Sequence, residues 1–252
     1  DWSSDVCSSD LGLGEHIRRY SGWSGLFNEA MAGMVGVDLP GHGQSDGKRG
    51  HIRSYAITDE MIDSLLDQCS KTFPGIPLFL YGHSLGGGMV LDYMLRKNPP
   101  VKGAIVTSPW LKLSFEPEKS KIRLAGIMKN ILPSLVQSSG LVVDHLSRDR
   151  EVVEKYKKDP LVHGLISVSL FHSAMTAASR SLHNASSLKK PLLLMHGTDD
   201  RICSSEGSRE FAEKSPLAEL RLWEGAYHEL HNDLCRHEVF DAIRNWLETK
   251  LS

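Results

Sequence analysis

A chain of 252 residues with 40% hydrophobic and 24% charged residues suits one α/β domain with an insertion, or at most two small domains. A formal charge of −2 gives no reason to expect nucleic acid or a strongly anionic membrane as a partner. Cys7, Cys69, Cys203 and Cys235 lack metal or disulfide spacing, which suggests a reducing compartment. No apolar run approaches the ~18–20 residues of a membrane span.

Residues 1–11 contain no initiator Met, no signal-peptide core and no strand or helix period. They resemble a translated sequencing-adapter segment and are set aside as a non-native scar, the alternative being a disordered native start. From Met31 onward, short apolar runs alternate with helical patterns, the signature of a mostly parallel sheet with crossover helices. Met34–Asp38 is a strand candidate, closed by the turn-rich Pro40-Gly41-His42-Gly43. Ser54–Lys71 has helical spacing at Met61, Leu65, Leu66 and Cys69, and Pro74-Gly75 ends it. Leu78–Tyr81 reads as a buried strand, Gly87–Arg96 as the helix behind it, and Val101–Thr107 as the next strand, stopped by Ser108-Pro109.

Between Trp110 and about Leu188 the strand rhythm stops. The stretch offers helical pieces at Ile122–Leu135, Val152–Tyr156 and Leu165–Leu182 and no convincing buried strand. Ligands of open α/β sheets bind at the carboxyl ends of the strands. An insertion leaving after Val101–Thr107 lies across that end, so residues 110–188 are expected to form a helical cap. Two ordinary crossover helices are the alternative, for which some ~80 residues is long. Leu192–Met195 and Leu220–Trp223 resume the strand rhythm. The last helix, His237–Thr249, carries Val239, Phe240, Ile243 and Leu247 on one face. The core is thus residues 12–109 and 189–252.

Gly82-His83-Ser84-Leu85-Gly86 fits G-x-S-x-G between a strand and a helix, where a tight turn needs small residues beside the serine. The Ser84 hydroxyl would project above the sheet, with the next backbone N–H at a helix N-terminus able to stabilise an oxyanion. A serine hydroxyl needs a base, and the base needs a carboxylate to fix its tautomer. In a fold of this kind they follow in the order Ser, acid, His. The strand at Leu192–Met195 runs into His196-Gly197-Thr198-Asp199-Asp200, and Leu220–Trp223 runs into Gly225-Ala226-Tyr227-His228. The acid is Asp199 or Asp200, the H-G-x-x-D spacing favouring Asp200. The base is His228 or His231, His228 lying nearer the strand end.

Five segments together resemble the monoacylglycerol lipase and lysophospholipase group of the α/β-hydrolase superfamily. They are Gly12-Leu13-Gly14-Glu15-His16, Asp38-Leu39-Pro40-Gly41-His42-Gly43-Gln44-Ser45, Gly82-His83-Ser84-Leu85-Gly86-Gly87, Asp200-Arg201-Ile202 and Glu224-Gly225-Ala226-Tyr227-His228. The resemblance implies an α/β-hydrolase fold and hydrolysis of a single-chain lipid ester, a monoacylglycerol or lysophospholipid, beneath a partly apolar cap. It implies an oxyanion hole at the N–H groups of Leu13 and Leu85. Glu15, Arg19 and His231 match positions lining the polar end of the pocket, and Cys203 matches a thiol near the site in some members. The family usually has His-Gly where this chain has Leu11-Gly12, and the two edge strands that normally precede this point are expected to be missing. Met34–Asp38 would then stand at an exposed edge.

The implied chemistry is acyl transfer through Ser84, with no cofactor and no metal. Ile122, Leu124, Ile127, Ile131, Leu132 and Leu135 offer apolar surface for an acyl chain, or simply pack on the body. Transient contact of the cap with a membrane surface and a cytoplasmic location, peripheral at membranes, complete the expectation. An esterase or thioesterase acting on other acyl substrates is the main rival, because fold and triad do not choose the acyl group. A non-catalytic binding protein of the same fold is the rival from another class.

Overall fold

A computed structural model describes residues 4–10 as backbone, and residues 12–30, 32–115 and 126–251 in full. Its centre is a six-stranded, wholly parallel sheet in the order β2-β1-β3-β4-β7-β8. The strands are β1 (Ser4–Asp10), β2 (Ala32–Val35), β3 (Leu78–His83), β4 (Gly103–Thr107), β7 (Leu192–Gly197) and β8 (Ala218–Trp223). The helices that connect or follow them are α1 (Ser21–Glu29), α2 (Tyr55–Thr72), α3 (Ser84–Lys97), α6 (Ser205–Lys214) and α7 (Arg236–Leu251). Between β4 and β7 lie the short strands β5 (Val136–Ser138) and β6 (Leu165–Ser167) with α4 (Arg150–Lys158) and α5 (Val168–Asn184).

The pleat explains why helices cover both faces. Leu78 and Leu80 of β3, Ala104 and Val106 of β4, and Leu192 and Leu194 of β7 pack with Leu65, Val90, Met94 and Phe211. The alternate residues Phe79, Tyr81, Ile105, Leu193 and Met195 pack with Trp23, Phe27, Ile243 and Trp246 on the other side. A strand buried on both faces must be apolar throughout, which is why these three read as unbroken runs.

Several expectations are corrected. Ser4–Asp10 has no apolar period, yet its backbone runs as β1 between β2 and β3, paired in parallel with both. Backbone ladders need no particular side chain, so pairing here does not follow from pattern. The strand expected at Met34–Asp38 is Ala32–Val35, at the sheet edge. Asp38 is a staple instead: its carboxylate accepts the N–H groups of Ile17 and Gln44, both at 2.7 Å.

Segment 110–188 is not wholly helical, because β5 and β6 form an antiparallel ribbon. The expected helix at Leu165–Leu182 begins only at Val168, where Ser167 caps it by accepting the Leu170 N–H. Of Ile122–Leu135, residues 126–131 are helical, and Ile122 and Leu124 lie outside the described residues. The same segment reaches the loops at the carboxyl ends of three strands. His163 N–H donates to Gly14 O, Ser167 N–H to Gly50 O, and Leu146 O accepts from Glu229 N–H.

Candidate active site

Gly82 must be small because a Cβ there would lie 2.8 Å from Val90 and 2.9 Å from the Gly86 carbonyl. β3 therefore turns sharply into α3, and Ser84, the first residue of the helix, takes the left-handed φ of 53°. A side-chain-bearing residue pays for that conformation with strain, the kind held at functional turns. Ser84 is nearly buried, and Leu85 behind it is wholly so. The Leu85 N–H belongs to the first helical turn, whose donors lack intrahelical acceptors. On the other side β1 pairs with β3 as far as Asp10 opposite Gly82, with a shift of register between Ser8 and Asp10. The turn Gly12–Glu15, with half-buried Leu13 at its corner, thus emerges beside Ser84.

His228 Nε2 lies 2.8 Å from Ser84 Oγ, and its Nδ1 lies 2.7 Å from Asp200 Oδ2. The His228 carbonyl accepts a 2.7 Å hydrogen bond from Ser108 Oγ, at the end of β4. Asp200 Oδ1 accepts the N–H groups of Ile202 and Cys203. Burial opposes ionisation of Asp200, but His228 and the hydrogen bonds from His196 and His228 prevail and hold the carboxyl well below the usual range. Asp199 is exposed and does not share this position. Such a hydroxyl–imidazole–carboxylate chain can remove the serine proton and stabilise the imidazolium that results.

Glu15 and Arg19 also come together, with a partner that sequence reasoning missed. Arg19 donates from Nη1 and Nη2 to the two oxygens of Glu229, each at 2.8 Å, and from Nη1 to Glu15. Its guanidinium stacks 4.6 Å from the centre of the Tyr156 ring in α4. Burial pushes the Glu15 carboxyl up to about 8, aided by Glu229 and opposed by Arg19. Glu229 meets the same burial penalty, but Arg19 overrides it and keeps that carboxyl ionised. Nothing in sequence pattern marks a charge one residue beyond His228 as buried.

His231 is buried and stacks on Tyr20 at 4.4 Å, and neither ring nitrogen has a hydrogen-bond partner among the described residues. Burial drives it down to about 3, with Glu229 opposing, so the ring stays neutral. Cys203 is buried beside Asp200, and burial raises its thiol well above the ordinary value. Among the described residues no group of three or more His, Cys, Asp or Glu could hold a metal ion. No helix among them is long and apolar enough to cross a membrane.

A doubly covered parallel sheet, a serine on the strained strand–helix turn and an imidazole–carboxylate pair on later strand ends define a serine hydrolase of the α/β-hydrolase fold. The serine aminopeptidase S33 family (Hydrolase_4) matches residues 11–235, and the chain belongs to that family as an enzyme of the lipase and esterase kind. Over 95% of its length it is 31% identical to the monoglyceride lipase of Homo sapiens, covering 80% of that protein. It is 32% identical to an uncharacterized abhydrolase domain-containing protein of Dictyostelium discoideum, of which it spans only 26%. The crystal structure of Paleococcus ferrophilus monoacylglycerol lipase matches with a TM-score of 0.90 at 36% identity, over 98% of this chain and 94% of that one.

Proposed function

We propose that the protein hydrolyses monoacylglycerols to fatty acid and glycerol through an acyl-enzyme on Ser84. The observation that carries the reading is the continuous hydrogen-bonded chain from Ser84 through His228 to Asp200. The likeness to lipases named for monoacylglycerols supports the choice of substrate. Ser84 Oγ attacks the ester carbonyl while His228 Nε2 takes its proton, and Asp200 stabilises the imidazolium. The Leu13 and Leu85 N–H groups hold the oxyanion. His228 returns the proton to the departing glycerol, then activates water to release the fatty acid.

Residues 110–188 act as the cap. Ile127, Ile131, Leu132 and Leu135 are exposed on it and offer apolar surface to a lipid chain or a membrane surface. Glu15, Arg19 and His231 line the polar end of the pocket, where Arg19 already spends donors on two carboxyl groups. A capped pocket admits one acyl chain with a small head group and excludes bulky esters sterically.

The test is a hydrolysis panel of monoolein, triolein, lysophosphatidylcholine and a short p-nitrophenyl ester, run beside Ser84→Ala. Monoolein is expected to be turned over fastest and the variant to be inert. Faster hydrolysis of triolein or of the short ester would overturn the substrate assignment. Equal activity of the variant would overturn the role of Ser84.

A further inference from the structure

We propose that His196 is a positioning residue that fixes the carboxylate plane of Asp200, so that one oxygen stays aimed at His228. This deepens the proposed function and rests on Asp200 being the acid that orients the base.

His196 is the penultimate residue of β7 and is fully buried. Its Nε2 lies 3.1 Å from Asp200 Oδ2 and 3.0 Å from the Cys203 carbonyl. Both neighbours are acceptors, so Nε2 carries a hydrogen and donates. Nδ1, 2.8 Å from Ser208 Oγ at the start of α6, accepts the hydrogen bond of that hydroxyl. The ring is thereby held from both ends, in one tautomer and one orientation.

Asp200 Oδ2 receives two imidazole donors, from His228 and His196, while Oδ1 receives the two amides of Ile202 and Cys203. With donors on both oxygens the carboxylate cannot rotate about its Cβ–Cγ bond without breaking one of them. Remove His196 and only the amides on Oδ1 and the His228 bond itself oppose rotation. Among the described residues, the other titratable groups near this point include the buried Cys203 thiol, His83, whose ring packs 4.8 Å from His228, and buried His231, which also faces His228.

The spacing H-G-x-x-D acquires a physical meaning. The Asp200 N–H returns to the Gly197 carbonyl at 3.4 Å and folds the turn back over β7, which brings Asp200 onto His196. Gly197 between them has no room for a side chain, because a Cβ would lie 2.2 Å from the Ala226 carbonyl and 2.4 Å from that of Tyr227. The loop carrying His228 crosses at that point. The histidine holds the acid, the glycine lets the base loop pass, and Asp200 turns inward beside its exposed neighbour Asp199.

The experiment compares His196→Phe, which keeps ring volume but has no donor, with His196→Gln, whose terminal amide can reach where Nε2 stood. Readouts are kcat and KM on a p-nitrophenyl ester, the rate of fluorophosphonate labelling of Ser84, and the pH profile of kcat/KM. For His196→Phe, kcat and the labelling rate are expected to fall about 10- to 100-fold with KM nearly unchanged. Its acid limb should move to higher pH, because a carboxylate short of one donor holds the imidazolium proton more tightly. His196→Gln should recover most of the loss.

A folded His196→Phe with unchanged kcat and acid limb would overturn the proposal, as would equal losses in Phe and Gln. If His196→Phe does not fold, His196→Phe combined with Ser208→Ala removes the orphaned hydroxyl, and His196→Gln is judged on the same readouts. Asp200→Asn separates the two readings. Full labelling in that variant defeats the role of Asp200 itself; its loss beside a fully active His196→Phe defeats only the role of His196.

Discussion

Arg19 and Glu229 meet through two parallel hydrogen bonds of 2.8 Å, the guanidinium 8% exposed and the carboxylate wholly buried. The pair ties the turn that follows β1 to the residue next to His228. Two segments far apart in the chain are thus joined by a buried ion pair.

Removing either partner leaves an uncompensated buried charge, which typically costs about 3–5 kcal/mol. Arg19→Met and Glu229→Leu should each destabilise the fold by that order, and the double variant by clearly less than their sum. Denaturant unfolding of the four proteins in a double-mutant cycle measures the coupling. Additive losses would show that the two charges do not depend on each other.

Glu15 should make stability depend on pH with a definite sign. Burial raises its carboxyl to about 8 in the folded protein, whereas an unfolded chain titrates near the ordinary value of 4.5. The folded state therefore binds more protons between these values, so this contribution is complete below about 4.5 and is lost as pH rises through about 8. Glu15→Gln should melt progressively higher than the native sequence as pH rises over that window, and the advantage should level off above it. A melting difference independent of pH would contradict the shift.

Ser84→Ala should reduce turnover by about 10⁴–10⁶-fold while leaving the fold intact. Ser84→Gly should be equally inactive yet more stable, because glycine relieves the left-handed φ of 53° by roughly 1 kcal/mol. Activity assays and thermal melts of the two variants side by side check both statements. A glycine variant no more stable than the alanine one would mean that the turn is not strained.

Asp200→Asn should lower kcat by about 10⁴-fold, as loss of the orienting carboxylate does elsewhere, and Asp199→Asn should change it little. Asp200 stays ionised well into acid, so a loss of activity on acidification should report protonation of the base and not of the acid. A reversed order of damage would reject this arrangement.

Where both faces of a strand are buried, sequence pattern and structure agree closely, as for Leu78–Tyr81 within β3 and Leu192–Met195 within β7. The order Ser84, Asp200, His228 likewise picks out three residues that meet in space, because each must stand at a strand end. Pattern fails where pairing leaves no trace in it: Ser4–Asp10 pairs with two strands without an apolar period. It fails again at β5 and β6, three residues each, too short for a period to register. The contacts of Glu229 and His196 are invisible for a further reason. Their partners, Arg19 and Ser208, are fixed by tertiary geometry, 210 residues away in the first case.

The hydrogen bond between Ser84 and His228 closes a loop of 144 residues, and the one from His228 to Asp200 spans two adjacent strands that are among the last in the chain. Parallel pairings of this kind form slowly, because chain entropy is spent before any ladder bond is gained. During refolding, helices α2 and α3 can form locally while Ser84 remains an ordinary alcohol. On the proposed mechanism it becomes reactive only once β8 has docked on β7 and delivered its imidazole. Covalent capture of Ser84 should therefore report the docking of β8 on β7, an event that helix content does not time.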